Sequence, residues 1–286
     1  MSRVPLPLSP PRHMGQTLRQ DNWWIQPAIV VAVFGSFIIY ATWAALQNAH
    51  YTDGPYLSPF YSPVLWGNET DAAGKALKDA AGNVVASPHA WLGPQPTWWP
   101  GWLPFSPALL ILPFPGLFRF TCYYYRGAYY KAFWSDPPNC AVGEWRKTYL
   151  GEHSLPLILQ NVHRYFMYVA ILFIFFLGYD AFLGFIWPRP DGSKTFGIGV
   201  GTIIMWVNVV LLGGYVFGCH SFRHLVGGLY DKLSMHPIKK KVYDCSTCLN
   251  KSHAKWAWLS LFSVALTDLY IRLCSMGIIH DYHFTF

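Results

Sequence analysis

The stretch "IGVGTIIMWVNVVLLGGYVFG", residues 198–218, runs directly into "CHSFRHLVGG", residues 219–228. The first part carries no charged side chain, and a helix needs about 20 such residues to cross the hydrocarbon of a bilayer. It reads as a membrane span. The second part gathers one cysteine, two histidines and an arginine at the edge of that span. Further apolar runs of spanning length occupy 24–46, 165–187 and 256–279. Composition agrees: 53% of the residues are hydrophobic and 12% charged, against roughly 25% charged in an ordinary soluble domain. A fifth run, 105–125, contains Pro107, Pro113 and Pro115 and reads as a kinked span whose freed carbonyls need partners.

These runs predict an all-α integral membrane protein, a bundle of about five transmembrane helices. The expected organisation is an N-terminal cytoplasmic segment, 1–23, followed by one helix-bundle domain, 24–286, with a long external loop at 47–104. The first run follows a proline-rich stretch and exceeds the length of a secretory h-region, so it is expected to be an uncleaved anchor.

Basic residues set the orientation. With the N-terminus inside, the cytoplasmic segments hold Arg3, Arg12, Arg19, Arg119, Arg126, Lys131, Arg146, Lys147, Arg223, Lys232, Lys239, Lys240, Lys241, Lys251 and Lys255. Only Lys75, Lys78, Arg189 and Lys194 fall outside. This is the positive-inside bias. It accounts for the net charge of +7 through topology and anionic lipid, with no nucleic acid among the expected partners. The tryptophans of "GPQPTWWPGW", in the external loop, suit an interfacial belt.

The polar residues are informative because the background is apolar. Cys122 and Arg126 lie near the inner end of the second run; His163 and Arg164 begin the third; Cys219, His220, Arg223 and His224 end the fourth; His253 begins the fifth. Cys140 joins them from the inner loop, in "SDPPNCAVGE". Histidine and cysteine from four segments thus come to one level of the bilayer. Residues four apart share a helix face, so His220 and His224 can address a common centre. Gly213, Gly214 and Gly218 would let a neighbouring helix approach closely.

Other patterns have plainer accounts. "GIGVGT", 197–202, resembles a nucleotide loop, but no strand is expected before it, so helix packing is preferred. Cys245 and Cys248, in "CSTC", between His236 and His253, are read as a reduced pair before a zinc site. "NET" at Asn68 fits a glycosylation acceptor but is too short to carry weight. Cys274 reads as a packed thiol, and Asp268 with Arg272 as an intramembrane ion pair that fixes packing.

The runs "FRFTCYYYRGAYYKAFW", "DPPNCAV", "LILQNVHRYF", "GGYVFGCHSFRHLVGG" and "AWLSLFSVALTDLYIRL" resemble the single-chain membrane anchor of actinobacterial-type succinate dehydrogenase, the cytochrome-b-like subunit of respiratory complex II. The resemblance spans about residue 118 to the C-terminus. It implies a bacterial inner-membrane location and two partners, a flavoprotein that oxidises succinate and an iron-sulfur subunit docked on the inner face. The chain would pass their electrons to a quinone without itself oxidising succinate. Two cofactors suit such an anchor. A haem b needs two axial histidines; a Rieske-type [2Fe-2S] cluster takes two cysteines and two histidines. The resemblance favours the cluster, with Cys122, Cys140, His163, His220 and His224 as the ligand candidates and the choice of histidines open. Arg164, Tyr165, Arg223 and His253 are the quinone candidates. The competing class is a non-redox transporter or assembly protein, which would hold no coloured centre.

Overall fold

The computed structural model describes residues 13–69, 76–87, 89–146, 153–155, 157–189, 191–228 and 230–286. Arg3, Arg12, Lys75, Lys147 and Thr70 of the glycosylation pattern lie outside them. Its helices are α1 (Ile25–Gln47), α2 (Pro107–Ile111), α3 (Pro113–Phe120), α4 (Tyr123–Ala132), α5 (His163–Leu183), α6 (Val200–Phe217), α7 (His220–Gly227), α8 (Pro237–Lys251) and α9 (His253–Ser275). Short strands β1 (Thr52–Asp53) and β2 (Tyr56–Leu57) pair as a hairpin, and β3 (Ile186–Pro188), β4 (Lys194–Gly199) and β5 (His283–Thr285) form an antiparallel sheet in that order.

Among the described residues four helices are long and apolar enough to cross a membrane: α1, Leu157–Leu183, α6 and α9. The fifth run is not among them. Its prolines divide it, Pro107 opening α2 and Pro113 opening α3, because proline fits the first helical turn, where no N–H is needed, and disrupts later ones. A second break at Cys122 then separates α3 from α4.

The chain forms two compact units, Met1–Ile38 with Phe120–Asn161, and Ile39–Arg119 with Val162–Phe286. In the first, the described N-terminal residues are tied to the loop that carries Cys140. Gly15 and Gly143 are joined by a 2.9 Å backbone bond, and the Arg19 guanidinium donates to the Cys140 carbonyl at 2.9 Å. Tyr129 stacks on Phe120 and donates its hydroxyl to the Phe120 carbonyl.

In the second unit α6 packs between α5 and α9. Its glycines explain the closeness. A Cβ on Gly214 would lie 2.7 Å from the Trp256 ring, and one on Gly218 would lie 3.1 Å from Leu249, whereas Gly213 meets only Phe217 of its own helix at 3.7 Å. Gly214→Val is therefore expected to destabilise the fold by about 1–3 kcal/mol through overpacking, and Gly213→Ala to be tolerated. Thermal unfolding of the two variants in one detergent checks the contrast.

The glycines of "GIGVGT" have a different role from the one expected. A strand does precede the helix: β4 pairs with β3 and with β5, whose residues lie too far along the chain for local periodicity to reveal. Gly201 leaves room for the Tyr56 ring, 2.6 Å from where its Cβ would sit. The Tyr56 hydroxyl and that of Tyr270 both donate to the Asp281 carboxylate, at 2.8 and 2.6 Å, and the same carboxylate accepts the Gly201 N–H at the start of α6.

The loop between α1 and α2 is partly exposed and partly buried. Trp91, Trp98 and Trp102 are exposed, yet Tyr56, Ser58, Phe60, Tyr61, Ser62 and Val64 are buried. Ser58 donates to Asp268 and Ser62 to Asp180, placing a neutral donor on each intramembrane carboxylate. Asp268 also accepts from Tyr40 at 2.6 Å and pairs with Arg272 at 3.3 Å. The guanidinium reaches the Gln47 side chain at 2.6 Å and the Ala49 carbonyl at 2.9 Å. The ion pair read from the sequence is present, with both members buried.

Candidate functional site

Because α5, α6 and α9 alternate in direction, the start of α5, the end of α6 and the start of α9 meet at one end of the second unit. His163 is the first residue of α5, Cys219 caps α7 immediately beyond α6, and His253 opens α9. The His163 Nε2 lies 3.2 Å from the Cys219 sulfur. Rings hold the imidazoles: His163 stacks on Phe118 with centroids 4.7 Å apart, Phe118 meets the edge of Tyr215 at 5.3 Å, and Tyr215 stacks on His253 at 5.1 Å. Phe118, Tyr215, Cys219 and His253 are all buried.

Arg119 fixes this aromatic wall from behind. Its guanidinium lies 4.9 Å from the Tyr215 centroid and donates to the Ala257 carbonyl at 3.2 Å and the Ser260 hydroxyl at 3.0 Å. A cation over a ring contributes roughly 0.5–2 kcal/mol, more as the pair is desolvated, and Arg119 is half-buried.

The other candidates are dispersed. His220 and His224 lie one turn apart on α7 and are exposed, and the His224 Nδ1 is 3.1 Å from the Arg164 guanidinium. Tyr165 is 68% exposed. Arg223 lies over the Tyr243 ring and donates to its hydroxyl at 2.8 Å, so it joins α7 to α8. In the first unit Cys122 is buried and Cys140 exposed. On α8, Cys245 and Cys248 are exposed.

Among the described residues no group of three or more His, Cys, Asp or Glu side chains is set to hold a metal ion. The five-residue ligand set expected from the sequence is not assembled as such a group. The second unit offers donors of the right kind for a Rieske-type cluster, two imidazoles and a thiol, but with His163 and Cys219 in direct contact. Cys219 was not among the ligand candidates read from the sequence, although it adjoins His220. The sequence reading also did not single out Phe118, Tyr215 or Arg119. An arginine between two phenylalanines, "FRF", was the available signal.

The family model for the actinobacterial succinate dehydrogenase subunit SdhC matches residues 25–277. The chain belongs to that family. It is thus a membrane-anchor subunit of succinate dehydrogenase, a multi-pass protein of the bacterial inner membrane. No curated protein sequence matches it. Among solved structures, a chain of the "Mycobacterium smegmatis Sdh1 complex in the apo form" is 39% identical and superposes with a TM-score of 0.77, covering 96% of each chain. The SdhC match takes in the first helix and the buried loop that follows it, for which the sequence had suggested no relative.

Proposed function

We propose that this chain receives electrons from the iron-sulfur subunit of succinate dehydrogenase, itself reduced by the flavoprotein subunit, and delivers them to a quinone. The observation that carries the reading is the meeting of His163, Cys219 and His253 on one buried aromatic wall at a helix-bundle end. By the basic-residue bias that end faces the cytoplasm, where the soluble subunits dock. The inner loops, 134–152 and 227–252, supply charge and aromatic side chains for the docking surface; 147–152 and 229 lie outside the described residues.

For the redox group we infer a Rieske-type [2Fe-2S] cluster, with haem b as the alternative. Such a cluster, when bound, accepts and returns one electron at a potential of roughly −150 to +300 mV, a range suited to quinone reduction. His163, His253 and Cys219 would be its ligands in the second unit. On the sequence argument alone the other thiolate comes from Cys122 or Cys140. His220 and His224 are the weaker imidazole candidates, since both are exposed and His224 is engaged by Arg164. Phe118 orients the half-buried His163 and Tyr215 the buried His253, with Arg119 against Tyr215. A thiol beside a histidine favours the cluster over a bis-histidine haem, which has no use for sulfur.

The quinone ring is assigned to the surface near Arg164 and Tyr165, the exposed pair at the start of α5. Arg223, tied to Tyr243, organises α7 and α8 beside it. An apolar approach with a few polar groups is what a quinone site requires.

The test is the optical and paramagnetic spectrum of the purified complex. A broad visible spectrum and a Rieske-type signal from the anchor support the cluster; sharp Soret and alpha bands replace it with haem. Absence of both, in a complex that still contains the anchor, returns the chain to a non-redox role. Cys122→Ser and Cys140→Ser then separate the remaining thiolate: the ligand variant is expected to lose the anchor signal, and the other to keep it.

A further inference from the structure

Cys245 and Cys248 lie in the 227–252 segment assigned to docking, but no role given above uses their thiols. Both thiols are exposed, on the same side of α8, three residues apart. Helix geometry places such Cα atoms about 5 Å apart, inside the range of roughly 4.4–6.8 Å that a disulfide accepts. Their Cβ atoms, however, lie about 5–6 Å apart on a regular helix, whereas a disulfide needs about 3.5–4.5 Å. Closure is feasible, and it must tighten the turn between them.

That turn is not idle. Ser246, lying between the two cysteines, is buried and donates its hydroxyl to the Phe217 carbonyl at 2.8 Å. One turn on, the Asn250 amide donates to the Gly218 carbonyl at 2.8 Å. Leu249 closes against Gly218, 3.1 Å from where a Cβ would lie. These contacts receive the last carbonyls of α6 and hold the chain just before Cys219, whose sulfur touches His163.

We propose that Cys245 and Cys248 form a redox-active dithiol that closes to an intrahelical disulfide by exchange with a small-molecule disulfide, and that closure loosens the turn at Gly218 and Cys219. In the first step one thiolate attacks a sulfur of the disulfide RSSR, forming a mixed disulfide and releasing RS⁻. In the second the other thiolate attacks the helix-borne sulfur of that mixed bond, forming the Cys245–Cys248 bond and releasing a second RS⁻. Two electrons pass from the dithiol to RSSR, and the two thiol protons end on two RSH. In a reducing compartment such bonds are transient and act as sensors. The inference does not depend on which group occupies the His163 site.

The experiment treats the purified complex with oxidised glutathione and maps the α8 peptide by mass. Wild type is expected to give mainly a peptide two hydrogens lighter, restored by dithiothreitol. Cys245→Ser and Cys248→Ser are each expected to carry one glutathione instead. A wild-type peptide that keeps free thiols, or accumulates glutathione adducts without closing, overturns the dithiol. In the closed form, amide exchange at Gly218, Cys219 and His220 should rise about threefold or more, reporting local opening. Exchange unchanged on closure overturns the coupling. So does an equal rise in a Cys245→Ser, Cys248→Ser double variant, which would place the effect on another thiol.

Discussion

Replacing His163 and His253 together with alanine is expected to lower succinate-dependent quinone reduction about 100-fold or more, which corresponds to over 2.7 kcal/mol of lost transition-state stabilisation. Succinate oxidation with a soluble dye, which draws electrons upstream from the partner subunits, should stay within about twofold, since nothing in the soluble chemistry is touched. Both side chains lie at helix starts against aromatic rings, so alanine leaves each span its length. The matched control is His220→Ala with His224→Ala, on the exposed side of α7, expected to retain most of the quinone activity. The reverse pattern, loss with the α7 pair and retention with His163 and His253, would transfer the site to "CHSFRH".

The second large effect concerns stability. Arg272→Met should cost about 3–5 kcal/mol, because it strands the buried Asp268 carboxylate without its cation. The pair is 1% and 0% exposed, so water cannot compensate. Ser58 and Tyr40 would still donate to that carboxylate, which sets the lower end of the range. Replacing both members, Asp268→Leu with Arg272→Met, is expected to recover much of the loss, as apolar substitutes often do for a buried pair. Yield and thermal inactivation of the assembled complex are the measurements. A single variant as stable as wild type would mean that the pair contributes nothing.

Four spans were legible because spanning helices need only length and freedom from charge, both local properties. The region 105–125 was apolar enough to suggest a fifth, but proline position, which the run length ignores, divides it into α2, α3 and α4. The buried loop was illegible for another reason. Ser58 and Ser62 are ordinary loop residues until Asp268 and Asp180 arrive from distant helices. Likewise β4 could not be distinguished from a helix entrance without its partner strand, which lies beyond α9. At the candidate site the sequence placed His163, His220, His224 and His253 at one end of the bundle. Spacing put His220 and His224 forward, whereas the structure leaves both exposed and sets Cys219 against His163 and His253 against Tyr215. Spacing along one helix says which residues share a face, and says nothing of what that face meets.

The polar clasp around Arg272 has a bearing on biogenesis. A helix carrying an aspartate and an arginine in its C-terminal half enters the bilayer reluctantly, since a charge adds up to about 2.5–3.5 kcal/mol on insertion scales, the maximum being at mid-helix. Every partner that receives the pair, Tyr40, Gln47, Ala49 and Ser58, precedes α9 in the chain. By the time the ribosome releases α9, the groups that neutralise its charges have already been made. Chain order thus gives the last span a ready receiver, and makes its insertion contingent on the first.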